Sequence, residues 1–208
     1  DGKRILVLSH FGADIDSFAS AAMLYYALKP RYNIVIGVPD KVSASAQKLL
    51  THFKVPMKIN PALSSFDALI GVDFNAYEML GSMRESVRAF YERKKPVLIL
   101  DHHFPSNDAL SSKRFMHVES NRIATAEVAY DLLVKSGFEL NERACALCAI
   151  AIIADSANFV VADHSTFSIM ADCMKRSRKS YASLVSLFSM EEDAGHKIMR
   201  LKSAQRAR

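Results

Sequence analysis

Residues 4–22 read RILVLSHFGADIDSFASAA. An apolar run of strand length, Arg4 to Leu8, is followed at once by His10, Asp14 and Asp16, and then by small residues that begin a helix pattern over Ser17 to Leu28. A near-continuous apolar strand running straight into a helix is the unit of a parallel sheet covered on both faces. The unit recurs. Further apolar runs rich in Ile, Val and Leu lie at Asn33 to Val38, Ala68 to Val72 and Val97 to Leu100, with helix patterns at Ser43 to Phe53 and Tyr77 to Arg93. Beyond about residue 120 the pattern is almost wholly helical: Ala124 to Lys135, Asn141 to Ala154, Ser165 to Lys175, Tyr181 to Phe188 and Glu191 to Arg206. The fold expected is α/β, a mostly parallel sheet flanked by helices in the doubly wound manner, with a helical C-terminal part.

With 208 residues, half of them apolar, the chain can bury a real core, and it contains no repeat or low-complexity tract. The longest apolar run, Ala144 to Ala154, is far shorter than the roughly 20 residues a bilayer requires. A cytoplasmic protein is expected, with no membrane partner. Three cysteines make no disulfide framework, and Cys145 and Cys148 sit inside a helix pattern without a second pair, which reads as buried structure rather than a zinc or redox site. The net charge of +5 is uneven: from Lys175 onward there are nine Lys/Arg against three Asp/Glu. On charge alone, that end reads as the solvated face of terminal helices rather than a polyanion surface. Beginning at Asp1 and ending in a charged helical stretch, the chain reads as part of a longer protein.

The acids fall where such a fold puts its ligands. His10, Asp14 and Asp16 follow the first strand; ALIGVD ends in Asp73, VLILD ends in Asp101 with His102 and His103 next, and AIAIIAD ends in Asp155. The C-terminal ends of parallel strands converge on one edge. Asp73 or Asp155 alone would read as the N-cap of a following helix. Three consecutive ionisable residues at the end of a buried strand are different, because desolvating them is costly unless something binds them. So many carboxylates would repel one another and take up protons unless divalent cations compensated them. Mixed carboxylate and imidazole ligands suit Mn²⁺, Fe²⁺, Co²⁺ or Zn²⁺, and a carboxylate majority favours Mn²⁺ or Mg²⁺. The number of ligands suits two ions, which at roughly 3.5–4 Å separation can clamp both oxygens of an in-line phosphoryl displacement.

In order and spacing, SHFGADIDSFASA, the strand-terminal Asp73, LILDHHFPSN and AIIADSANF resemble the four motifs of the DHH phosphoesterases, which include RecJ exonucleases, nano-RNases and family II inorganic pyrophosphatases. The resemblance spans roughly Lys3 to Lys175, including VESNRIATAEVAYDLL ahead of the last motif. It implies that His10 and Asp14 bind one metal, that Asp16, His102 and Asp155 bind the other, and that Asp73 bridges them. It also implies that His103 faces the scissile phosphate and that Asp101 orients a histidine. A water shared by the two ions would attack phosphorus in line. Two departures stand out. The last motif, commonly Asp-Thr-Gly, here reads Asp155-Ser156-Ala157, without the glycine's backbone freedom. The family's glycine-rich, histidine-bearing C-terminal domain has no counterpart, so residues 1–190 are expected to be the catalytic domain and 191–208 a linker helix leading to that domain.

The function expected is hydrolysis of short single-stranded nucleic acid or a small nucleotide, RecJ-like or nano-RNase-like, a side to which the proline of DHHFP leans. A phosphomonoesterase acting on pAp or an inorganic pyrophosphatase is the alternative, although the motifs are poor in Lys/Arg and Arg122 is the nearest cation. From another class, a non-catalytic metal- or nucleotide-binding regulatory module is disfavoured because every expected ligand position is filled. Two Mn²⁺ ions are expected, with Mg²⁺ or Co²⁺ as substitutes, and a homodimer is left open. Ser17 is expected to cap the first helix and to face phosphate. His164 is expected to belong to the start of a helix rather than to the metal set, and His52, His117 and His196 have no acid at ligand spacing. No phosphate loop ending in Lys-Ser/Thr and no G-x-S-x-G element occurs.

Overall fold

The computed structural model describes residues 2–106, 110 and 115–188. Six strands form one all-parallel sheet: β1 (Arg4–Leu8), β2 (Asn33–Val38), β3 (Met57–Ile59), β4 (Ala68–Val72), β5 (Val97–Asp101) and β6 (Met116–Val118). Their order is β3-β2-β1-β4-β5-β6, so the winding reverses between β1 and β4. Around the sheet lie α1 (Ile15–Leu28), α2 (Ala44–Phe53), α3 (Arg84–Glu92), α4 (Thr125–Lys135), α5 (Glu142–Asp155), α6 (His164–Ser177) and α7 (Tyr181–Ser186).

The central strand shows why the sheet is covered on both faces. Successive side chains of a strand point to opposite sides, and Leu6, Val7 and Leu8 are all fully buried. Val7 joins a core with α1, α4 and α5, whereas Leu6 and Leu8 join a second core with Met83, Val87 and Phe90 around α3. Helix α5 is buried on nearly every side, and its Ala, Cys and Ile residues pack against the small residues of α1, the most extensive helix contact in the fold. Cys145, Cys148 and Cys173 are free and buried.

Several boundaries differ from the expected ones. Helix α1 starts two residues early, because Asp14 rather than Ser17 is its N-cap and accepts a hydrogen bond from the Ser17 amide at 3.0 Å. The helix expected over Tyr77 to Arg93 is broken at Gly81, whose φ is +50°, into a 3₁₀ segment (Tyr77–Met83) and α3. A Cβ at Gly81 would overlap the Asp40 carboxylate, so only glycine suits both the angle and the space. Strands β3 and β6, three residues each, were too short for an apolar pattern to reveal. The helix expected over Glu191 to Arg206 lies outside the described residues. No helix among the described residues is long and apolar enough to cross a membrane.

Candidate metal centre

Each acid arrives at the centre on a different element. His10 follows β1, Asp14 caps α1, and Asp16 lies in the first turn of α1. Asp73 follows β4, Asp101 ends β5, and His102 and His103 come next. Asp155 ends α5. The β1 and β4 loops flank the reversal of strand order, the place where open parallel sheets keep their ligands. Three groups bring ligand atoms within 4.8 Å of one another: His10, Asp14 and Asp73; Asp16, His102 and Asp155; and Asp73, His102 and His103. The six residues assigned from the resemblance to two ions are thus brought together, with Asp73 beside both histidine loops.

The two imidazoles are held in a defined orientation. His10 Nδ1 faces the Phe11 carbonyl at 2.8 Å, leaving Nε2 3.5 Å from Asp73 and 3.9 Å from Asp14. His102 Nδ1 faces the Arg122 carbonyl at 3.3 Å. Its Nε2 lies 3.4 Å from Asp155, 3.6 Å from Asp73 and 4.0 Å from Asp16. That nitrogen is buried and has no hydrogen-bond partner. Histidine ligands usually donate one ring N–H to a carbonyl or carboxylate and offer the other nitrogen to a metal, so these residues fit divalent cations.

The electrostatics point the same way. Burial, reinforced by Asp73 and Asp155, pushes the Asp16 carboxyl well above its ordinary range. Burial, together with Asp73 and Asp14, raises Asp155 to about 7. Asp155 also ends a helix, where the partial negative charge of the carbonyls disfavours a carboxylate. Burial opposes charge on His10, but Asp14 and Asp73 outweigh it and lift the imidazole to about 10. Cations would relieve all three strains at once.

A supporting layer surrounds the ligands. His103 Nδ1 and the Asp101 carboxylate are 2.8 Å apart, and Asp101 also accepts the His102 amide at 2.9 Å. The His103 ring is half exposed, and Asp101 holds its pKa above the ordinary value. Two neutral residues matter here. Buried Asn75 donates to Asp101 and to the Phe104 carbonyl, and accepts the Ser106 amide. Buried Thr125 donates its hydroxyl to Asp73 at 2.9 Å, while the amides of Thr125 and Ala126 donate to Asp16. Asn75, two positions beyond Asp73, carried no charge signal in the sequence; Thr125 was legible only through the Thr-Ala-Glu segment ahead of the last motif.

Two further residues expected at the substrate, Ser17 and Arg122, lie beside the centre in different settings. Ser17 is fully buried, with its hydroxyl unpartnered, so it lies under the loop rather than at its surface. The Arg122 guanidinium is taken up by Glu119, Asp131 and Ser165, and it is the backbone carbonyl of Arg122 that serves the centre. His164 begins α6, behind the N-cap Asp163. His117, expected to lack an acid, pairs with Glu119 at 2.8 Å.

An all-parallel sheet that carries four Asp/His clusters to the edge where its winding reverses defines a class, the α/β proteins with a carboxylate–imidazole centre for divalent cations. Within that class, residues 4–154 match the DHH family, N-terminal domain, and the chain belongs to that family. No curated protein sequence matches the chain. Among solved structures, an exopolyphosphatase-related protein from Bacteroides fragilis superposes with a TM-score of 0.76 at 15% identity, covering 91% of this chain and 58% of that one. A Methanococcus jannaschii protein, a candidate family II inorganic pyrophosphatase, superposes with a TM-score of 0.66 at 20% identity, covering 88% and 60%. At such identities the likeness is one of fold. The chain spans about three fifths of the length of either structure.

Proposed function

We propose that the protein is a two-metal phosphodiesterase that hydrolyses short single-stranded oligonucleotides or small nucleotides. The observation that carries the reading is the His102 Nε2 atom, buried without a hydrogen-bond partner and ringed by the carboxylates of Asp16, Asp73 and Asp155. His10 and Asp14 hold one ion, Asp16, His102 and Asp155 hold the other, and Asp73 serves both. Mn²⁺ suits four carboxylates and two imidazoles better than softer metals, with Mg²⁺ or Co²⁺ as substitutes. When bound, the ions supply Lewis-acid stabilisation of phosphoryl oxygens and a lowered pKa for water.

The chain's own residues supply the rest. Asp101 and Asn75 fix the His103 ring, whose exposed side offers a proton to the leaving oxygen. Thr125 and the start of α4 hold Asp73 and Asp16 against rotation. Residues 1–190 form the catalytic unit, and 191–208 lead on to a domain that grips the remainder of the substrate; the longer chains of both solved structures support that division. Three free thiols and no disulfide framework agree with a cytoplasmic setting.

A second reading, hydrolysis of a phosphoanhydride such as pyrophosphate, is favoured by the likeness to an exopolyphosphatase-related protein and to a candidate family II inorganic pyrophosphatase. Against it stands the engagement of Arg122 elsewhere. A hydrolysis panel with Mn²⁺ separates the two: 5′-labelled di- to pentanucleotides, pAp, cyclic dinucleotides and pyrophosphate. Turnover of the oligonucleotides or cyclic dinucleotides supports the first reading, and turnover of pAp alone marks a phosphomonoesterase. Turnover of pyrophosphate alone overturns the first reading.

A further inference from the structure

The two histidines that approach Asp73 are oriented by unequal means. His10 Nδ1 faces the carbonyl of its own neighbour, Phe11, at 2.8 Å, and the Phe11 amide is anchored on the Met79 carbonyl at 2.7 Å. His102 Nδ1 faces the carbonyl of Arg122, 20 positions away in the sequence, at 3.3 Å. A carbonyl only accepts, so the contact requires the proton on Nδ1 and leaves Nε2 turned toward Asp16, Asp73 and Asp155. A separation of 3.3 Å lies just beyond the roughly 2.7–3.2 Å of a good N–H···O bond. Such a contact orients a ring only if the carbonyl is itself fixed.

Arg122 lies between β6 and α4, outside any helix or strand. Its backbone is tied at one end, where the Arg122 amide donates to the Glu119 carbonyl at 2.9 Å and the Glu119 amide to the Asp101 carbonyl at 3.0 Å. The side chain fixes it from the other direction. Nε donates to Glu119 at 3.2 Å, one terminal nitrogen donates to the Ser165 hydroxyl on α6 at 3.0 Å, and the other donates to Asp131 on α4. Glu119 is held in turn by His117 of β6, 2.8 Å away. All three guanidinium nitrogens thus meet separate acceptors on separate segments, an arrangement that suits the planar fork of arginine and not the point charge of lysine. The Arg122 side chain is only 15% exposed, so solvent screens these pairs less than it would at the surface.

We propose that Arg122 is a positioning residue for His102: its guanidinium clamps the loop between β6 and α4, and the clamped carbonyl keeps the proton on Nδ1 and Nε2 turned inward. The effect is confined to the ion assigned to Asp16, His102 and Asp155, because the contacts that orient His10 do not pass through this loop. The inference rests on the metal assignment proposed above, although the orientation of His102 can be read without a metal.

The test uses the full chain, unsubstituted and as Arg122→Met, which keeps the stem and removes the fork. Asp131→Asn, which weakens the clamp and leaves the arginine in place, provides a second reading. Imidazole ¹⁵N–¹H spectra of the metal-free chain report the Nδ1–H proton of each histidine, and calorimetry follows the binding of Mn²⁺. Expected is a His102 proton that exchanges at least tenfold faster in the variants while that of His10 is unaltered, with Mn²⁺ affinity lowered about 10-fold or more at one ion and retained at the other. A merely structural arginine would lower the melting temperature and move neither readout. Persistence of the His102 proton in both variants, Mn²⁺ affinity unchanged in both, or equal disturbance of His10 and His102 overturns the proposal. If the unsubstituted chain binds no Mn²⁺, the metal assignment fails, and the His102 proton alone decides the role of Arg122.

Discussion

Ala157 has a φ of +49°, and Asn158 and Phe159 follow at +56° and +72°, three left-handed residues in succession that begin two positions after Asp155. For a residue with a Cβ this conformation costs about 1–2 kcal/mol, whereas glycine adopts it freely. The run reverses the chain out of α5 while the Ser156 hydroxyl accepts the Phe159 amide at 2.9 Å and the Phe159 ring stacks on Phe167. The glycine absent from the last motif therefore changes the strain of the turn rather than its path. Restoring it in Ala157→Gly is expected to stabilise the protein by about 0.5–1 kcal/mol, the left-handed penalty less the entropy glycine adds to the unfolded chain. A denaturant midpoint that stays put or falls in that variant would show that the turn is not strained at this position.

Helix α4 shows how a whole element serves the centre. Its N-cap, Ala124, has no capping side chain, so the free amides of Thr125 and Ala126 turn to the buried Asp16 carboxylate, and the Thr125 hydroxyl turns to Asp73. The positive end of a helix thus faces the most buried acid of the centre. Thr125→Val keeps the shape and the amides but removes the hydroxyl. Its metal affinity should fall about 10- to 100-fold, the usual cost of losing a group that orients a ligand, with little change in the circular dichroism spectrum. Undiminished affinity would mean that Asp73 is held by its backbone alone. The contrast between ligands and their supports also explains what the sequence disclosed. Asp101-His102-His103 at the end of an apolar strand is legible because burying charge has few explanations. Thr125 and Asn75 are neutral, and only the folded chain shows which carboxylates they meet. Likewise the central strands are legible from continuous apolar runs, whereas β3 and β6 exist through pairing with a neighbour, and the break at Gly81 through a carboxylate 41 positions away in the sequence, Asp40.

At the scale of the molecule, the centre joins β1, β4, β5, α1, α4 and α5 around mutually repelling carboxylates, so its charge state bears on global stability. For Asp155, raised from 3.8 to about 7, the folded state holds its proton longer than the unfolded one, and stability is lost as pH climbs from about 4 to 7. For His10, raised from 6.5 to about 10, the contribution is fully present below pH 6.5 and is lost as pH rises through 10. Both shifts act in the same direction, so the metal-free protein should lose thermal stability steadily from about pH 5 to pH 10. Divalent cations replace the protons that the centre gives up, and an ion at 100 times its dissociation constant adds about 2.7 kcal/mol. Melting curves across that range, with chelator and with Mn²⁺, should therefore diverge as pH rises. Parallel curves, or a metal-free protein that grows more stable toward pH 10, would mean that the carboxylates and imidazoles are not coupled through a shared cation site.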